Sequence, residues 1–435
     1  MGNHRYSRNP DHIRRRNVPA PDNQVISEHL QKLLSPLVYN QQAYYRSLGL
    51  RDRILTLPLM VAAVVTLLWH QVPSVAELTR MLNRKNLLWA KATKVRQQSL
   101  SERFLSFPAE LFEQVFETLL PILKARWHQR TRPIPASLEY GLKHFEQILA
   151  ADGSVLEALF RKLDSLQAIP AGTLAGKICT VIELTTRLPV KIWFTENAKA
   201  HDCCFLDDLL SWVSAKTLLI LDRGFYDFDW WAQLVDKQVD FICAGKSNLA
   251  YSVLKVFSTT DCLKDRLIQL GQDSQGKPLL TLRLIEVRKG KGWYRYLTSV
   301  LDPQLLPPYV VVDLYCHRWR IEEAFLVAKR LLGLAYLWTG SINGIKLQIW
   351  ATWLMYAVLV DLSDAVAEAV QLPLERISME MVWRGLYHFN DAYNSGKATE
   401  PVDYLAAPEN RDLGVIKALR KPPEKIDFTS LFGFA

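Results

Sequence analysis

TLLILDRGF, residues 217–225, decides the fold. Thr217–Leu221 is a continuous run of β-favouring and apolar side chains. It is too short for a helix and lacks the polar alternation of a half-exposed strand, so it reads as a strand buried on both faces. Asp222-Arg223-Gly224 ends it. In open α/β sheets, ligand sites lie just beyond such strand ends. A carboxylate there can face a cation without being buried unpaired, although Asp-Gly-type sequences are also common turns.

Working outward, residues 176–194 hold two candidate strands, KICTVIEL and PVKIWFTE, split by the turn-prone TTRL. A helix is expected over Phe205–Ser214. Upstream, FEQILAADGSVLEALF (145–160) carries an apolar run into Asp152-Gly153, which reads first as a turn and second as another strand-end carboxylate. Downstream, Gly245–Leu301 is β-rich: LTLRLIEV alternates, KGKG makes a tight turn, and WYRYLTSVL returns. Pro307-Pro308 then breaks the chain. A long helix is expected over Val310–Leu332, stopped by Gly333, and an apolar helix over Ile345–Val360. Together these predict an α/β fold with a mixed sheet and flanking helices. The last 70 or so residues resist assignment.

The N-terminal third differs. Residues 26–130 show helical spacing of apolar side chains and little strand-like alternation. Residues 1–130 hold 19 Lys/Arg against 9 Asp/Glu, whereas the other 305 residues hold 34 against 35, so the net charge of +9 is concentrated at one end. A basic module on a near-neutral body suits a polyanionic partner. After the apolar run Ile54–Trp69 and a turn at Pro73, Ser74 and Glu77 form a capping pattern, and the next helix carries Arg80, Arg84 and Lys85. Helix, turn, basic helix is the outline of a helix-turn-helix reader, and also of any two bundle helices. The uncharged run is shorter than the ~20 residues of a membrane span and contains Pro58, so a core helix and no membrane partner are expected. The six cysteines include no C-x-x-C pair, which speaks against a zinc site and fits a reducing, cytoplasmic setting.

On the long helix, Tyr315, Arg318, Glu322 and Lys329 stand at offsets 0, 3, 7 and 14. At about 100° per residue they share one arc of about 60°. Such a stripe can face phosphate and metal, or can be a solvated face with an ordinary i, i+4 pair between Arg318 and Glu322.

These residues carry a resemblance. YCHRWRIEEAFLVAKRLLGL contains every position of the Y-x2-R-x3-E-x6-K signature and resembles the insertion-sequence-four (IS-four) family of bacterial transposases, which carry a carboxylate triad. The similarity extends over ADGSVLE at Asp152, LDRGF at Asp222 and the β-rich stretch, from about 140 to 360. The segment Ala200–Cys204 departs from the family pattern and is assigned no role. The resemblance implies an RNase H-like core with a β-rich insertion, in which Asp152, Asp222 and Glu322 bind two Mg²⁺ ions, with Mn²⁺ as a substitute. Tyr315, Arg318 and Lys329 would hold the DNA backbone. Trp293, after the KGKG turn, would stack on a flipped base, although it also reads as a strand tryptophan packed in the β-layer. The implied organisation is a basic all-helical DNA-binding domain (1–135), a core in two parts (136–245 and 302–360), the β-rich insertion (246–301) and a C-terminal region (361–435). The implied partners are double-stranded DNA, as transposon terminal inverted repeats and target, and a second copy of the chain. A metal-dependent nuclease without strand transfer and an inactive DNA-binding regulator remain alternatives.

Overall fold

The computed structural model describes residues 23–50, 52–72, 74–156, 176–271, 280–290, 292–334, 338 and 341–418. The arginine-rich N-terminus, Pro73, Lys291 of the KGKG turn and the end of the 145–160 stretch lie outside these residues. The chain divides into two compact units. One comprises residues 1–132, 157–174 and 325–417, and the other 133–156, 175–324 and 418–435.

Among the described residues, the regular elements of the first unit are helices, apart from the isolated β-bridges Leu87–Ala90 and Ile377–Ile416. Leu57–Trp69 has Thr56 as its N-cap and Pro58 in its first turn, where the missing N–H costs nothing. Twelve of its thirteen residues are buried, which explains an apolar run with no polar face. Ser74 caps Val75–Arg84 by accepting from the Glu77 N–H at 3.2 Å. The helix Ile342–Ala369 is long and apolar enough to cross a membrane by length and composition alone, and most of it is buried in the protein's own interior. It packs on Glu110–Gln129. Asp361 and Asp364 emerge from that apolar helix into a cluster of arginines. Arg126 and Arg130 each reach Asp361 at 2.8 Å, and Arg130 and Arg132 reach Asp364 at 2.9 and 2.5 Å. Buried carboxylates are tolerable only with such partners. The C-terminal region that the sequence left unassigned forms two further helices, Met379–Asn394 and Pro401–Ala406.

The second unit is built on one nine-stranded mixed sheet. Its strands are β1 (Gln147–Val155), β2 (Lys177–Glu183), β3 (Pro189–Thr195), β4 (Thr217–Leu221), β5 (Asp240–Ala244), β6 (Tyr251–Thr259), β7 (Leu263–Leu270), β8 (Leu280–Lys289) and β9 (Gly292–Thr298). Their order across the sheet is β3-β2-β1-β4-β5-β9-β8-β7-β6. β1 pairs parallel with β4 and antiparallel with β2, and β4 pairs parallel with β5. As the apolar run predicts, β4 is buried throughout. One face of the sheet packs Leu219, Leu221 and Phe241 against Trp230 and Trp231 of the helix Phe228–Asp236.

Three local expectations change. Asp152-Gly153 is not a turn: β1 runs on to Val155, with Asp152 opposite Thr180 of β2. The β-rich stretch is not a layer of its own, because β9 pairs antiparallel with β5 and extends the same sheet. Within it, β8 is buried on both sides despite its alternation. Arg283 is fully buried and holds Asp265 of β7 through Nε at 2.8 Å and Nη2 at 2.6 Å. Finally, the expected helix Val310–Leu332 is broken. Pro308–His317 ends at Arg318, Trp319–Leu326 follows, and Val327–Leu331 is a π-helical turn.

Candidate active site

The parallel register sets two carboxylates side by side. Ala151 of β1 is level with Leu221 of β4, so the next residues, Asp152 and Asp222, lie side by side, Asp222 just past the end of β4 and Asp152 still paired with Thr180 of β2. Each aspartate is oriented by its own backbone. Asp152 Oδ1 accepts from the Gly153 N–H at 2.8 Å, and Asp222 Oδ1 accepts from the Gly224 N–H at 2.6 Å. Asp222 thereby caps the 3₁₀ turn Arg223–Phe225. Its turn chemistry and its strand-end position are both realised.

Arg318 joins the helix to this pair. Its Nη1 donates to Asp152 Oδ2 at 3.3 Å and its Nη2 to Glu322 Oε1 at 2.8 Å. The helix tightens there, with Arg318 N–H donating to Tyr315 O and Ile321 N–H to Arg318 O. The guanidinium is largely buried, and its Nε has no hydrogen-bond partner among the described residues. Tyr315 packs against Tyr296 of β9 at 5.1 Å between ring centroids, with Arg318 5.8 Å from its ring. Burial pushes the Tyr315 phenol up to about 12.

Asp152 is the most perturbed acid of the group. Burial and the neighbouring charge of Asp222 push its carboxyl up to about 7, and Arg318 offsets only part of that. Two carboxylates forced together in this way favour a proton or a cation between them. Among the described residues, no three His, Cys, Asp or Glu side chains already close into a metal cage. The Arg318 guanidinium spans Asp152 and Glu322. The donors are nonetheless all carboxylate oxygens, as a hard divalent cation prefers.

The remaining residues named from the sequence are placed as follows. Trp293 lies on β9, 38% exposed, with Lys264 Nζ 4.7 Å from its ring centroid. It is neither packed away in the sheet nor free of it. Lys329 lies in the other unit on the π turn, its Nζ 5.8 Å from the Phe325 ring. The π turn adds a residue to the helical repeat, so the common arc computed at 100° per residue does not extend to Lys329. Arg80 and Arg84 are exposed on Val75–Arg84, Arg80 paired with Glu77 at 2.5 Å, and Lys85 follows the helix half-buried. Sequence reasoning missed Asp202 and Lys177, an ion pair at 2.8 Å that packs against the glycines following both aspartates. Those two glycines were the available signal, since a glycine often marks a close approach. It also passed over Trp319, at 61% the most exposed large apolar side chain among the described residues, with Arg318 5.7 Å from its ring.

Comparison with known proteins bears on this arrangement. A curated protein of Sinorhizobium fredii named "Putative transposase y4zB" is 24% identical over 189 residues, covering 41% of this chain and 51% of that protein. The chain thus spans about half the length of the curated relative it matches. A solved structure titled "Cryo-EM structure of piggyBac transposase synaptic complex with hairpin DNA" aligns over 97% of this chain and 91% of that one, with 12% identity and a TM-score of 0.39. The family model described as "Transposase DDE domain" matches residues 143–358, just under half of the chain, and this span contains β1, β4 and the Arg318–Glu322 helix. Residues 143–358 are therefore similar to transposase DDE domains.

Proposed function

We propose that the chain is a DNA transposase of the IS-four type, with an RNase H-like core. It would bind the terminal repeats of an insertion sequence, cleave them by phosphoryl transfer, and join them to target DNA. The observation that carries this reading is the convergence of Asp152 on β1, Asp222 at the end of the parallel strand β4, and the Arg318–Glu322 pair of one helix. The family match over the same residues supports it.

Asp152, Asp222 and Glu322 would hold Mg²⁺ or Mn²⁺. A pair of such ions supplies Lewis-acid stabilisation of the attacking and leaving oxygens in an in-line displacement. The chain's own residues do the rest. Arg318 would orient Asp152 and Glu322 through its two Nη groups and place a fixed positive charge beside the bound phosphate. Tyr315, wedged between Tyr296 and Arg318, stays protonated over the physiological range and can donate to phosphate. Lys329, Arg80, Arg84 and Lys85 would contribute backbone contacts and Trp293 a base-stacking surface. A second copy of the chain would be needed to bring two ends together.

The test is Glu322→Gln in the full chain. It should bind labelled end DNA as the parent does and lose Mg²⁺-dependent cleavage. Retained cleavage would refute the ligand role. Supplying pre-cut ends with a target plasmid separates a transposase, which joins them, from a nuclease, which does not.

A further inference from the structure

Asp202 begins the 3₁₀ turn Asp202–Phe205 and directs its carboxylate between β1 just after Asp152 and the turn just after Asp222. One oxygen, Oδ1, lies against Gly153, the residue after Asp152. The other, Oδ2, lies against Gly224, two residues after Asp222. A Cβ added at either glycine would overlap that carboxylate. Lys177 of β2 holds it there. Its ammonium, on a buried stem, lies 2.8 Å from Asp202 Oδ1 and donates to Ala200 O at 2.8 Å. Next to it, the Cys203 thiol donates to Gly224 O at 3.3 Å. The turn is therefore latched both to β2 and to the segment that follows β4.

We propose that Asp202, fixed by Lys177, is a positioning residue that sets the separation of Asp152 and Asp222 and thereby the grip of the site on a divalent cation. This rests on the reading of those aspartates as metal ligands. Backbone pairing joins β1 to β4 only up to Ala151 and Leu221, while β1 stays paired with β2 through Val155. Beyond that point, the like charges of Asp152 and Asp222 push the segment after β4 away from β1. A carboxylate seated between two glycines limits how far the ends can close, and the Lys177 ion pair anchors it against moving out. Both glycines are required because only a residue without Cβ lets the carboxylate in. Asp202 lies beside the ligands' backbone, so its role is that of the outer partners that orient metal-binding carboxylates.

The experiment uses the full chain carrying Asp202→Ala, Asp202→Asn, Lys177→Met, Gly224→Ala, or Gly224→Ala with Asp202→Ala. Mn²⁺ binding is read by calorimetry without DNA. The Mn²⁺ needed for half-maximal end cleavage is read separately from the rate at saturating Mn²⁺, and DNA affinity is measured in EDTA. Asp202→Ala should weaken Mn²⁺ binding about 10- to 100-fold and raise the half-maximal concentration in step. Affinity for DNA in EDTA should be unchanged, and the rate should recover at high Mn²⁺. Asp202→Asn, which keeps the shape, and Lys177→Met should give smaller shifts in the same direction. They decide the matter if the alanine variant does not fold. Gly224→Ala should also weaken Mn²⁺ binding, and adding Asp202→Ala should not weaken it further. Parental Mn²⁺ binding in the folded Asp202 and Lys177 variants, with Glu322→Gln inactive beside them, overturns this inference and leaves the active-site reading intact. An active Glu322→Gln overturns the reading itself.

Discussion

Arg318 places Nη1 3.3 Å from Asp152 Oδ2, so the helix of Glu322 is tied directly to the middle of the sheet. The same guanidinium holds Glu322 at 2.8 Å. A single fixed cation thus joins two of the three proposed ligands, and two nitrogens in a planar fork are what allow it.

Arg318→Lys should therefore be severe. One ammonium cannot reproduce both contacts. Losing one charge-assisted hydrogen bond, worth about 1.5–3 kcal/mol, corresponds to roughly a 10- to 100-fold drop in kcat/KM for end cleavage. Calorimetric unfolding should show a native-like fold, and parental cleavage by the lysine variant would count against the bridge.

Asp152→Asn should stabilise the metal-free protein in a pH-dependent way. The Asp152 carboxyl is raised to about 7 by burial and by Asp222. The folded state therefore binds this proton more tightly than the unfolded state, and stability is lost as pH rises from about 4 to about 7. The neutral amide avoids that loss. Its advantage should reach a few kcal/mol at pH 8 and shrink by pH 5. Chemical denaturation in EDTA at the two pH values checks this, and a pH-independent difference would contradict it.

Changing Arg80, Arg84 and Lys85 together to alanine should weaken DNA binding for specific and non-specific sequences alike. If each contacts a phosphate, the salt slope should fall by about one per residue. The exposed positions of Arg80 and Arg84 predict little change in thermal stability. An unchanged salt slope would remove this helix from the DNA-binding surface.

Asp364→Ala should destabilise the helical unit by about 3–5 kcal/mol, because it leaves the deeply buried Arg132 without its carboxylate, while Arg130 keeps Asp361. Urea unfolding monitored by tryptophan fluorescence is the measurement. A cost below about 1 kcal/mol would mean that the arginines find other acceptors.

The site was legible where the chemistry is local. Thr217–Leu221 announces a buried strand by composition, so Asp222 could be placed from nine residues. Arg318 and Glu322 are one helical turn apart and meet as spacing requires. Asp152 was less legible, because Asp-Gly satisfies a turn rule and only pairing with β2, some twenty-five residues away, continues the strand through it. The π turn under Lys329 reflects packing, which a repeat of 3.6 residues does not encode. Asp202 contacts Gly153 and Gly224 from a distant turn, and its role is set by their missing side chains rather than by any motif of its own. Arg283 shows the same limit in the sheet: a charged residue at an outward position is buried because Asp265 on the adjacent strand neutralises it.

The seam between β5 and β9 has a wider consequence. The chain leaves β5 after Ala244 and pairs back onto it at Tyr296 of β9, directly opposite. The exit and re-entry points of the 50-odd residues between them are therefore neighbours. Such an excursion can be lengthened, trimmed or replaced during evolution without moving the strand ends on one side or the Glu322 helix on the other. The excursion and the carboxylate-bearing strands could thus diversify independently, with one inherited unchanged while the other is redrafted.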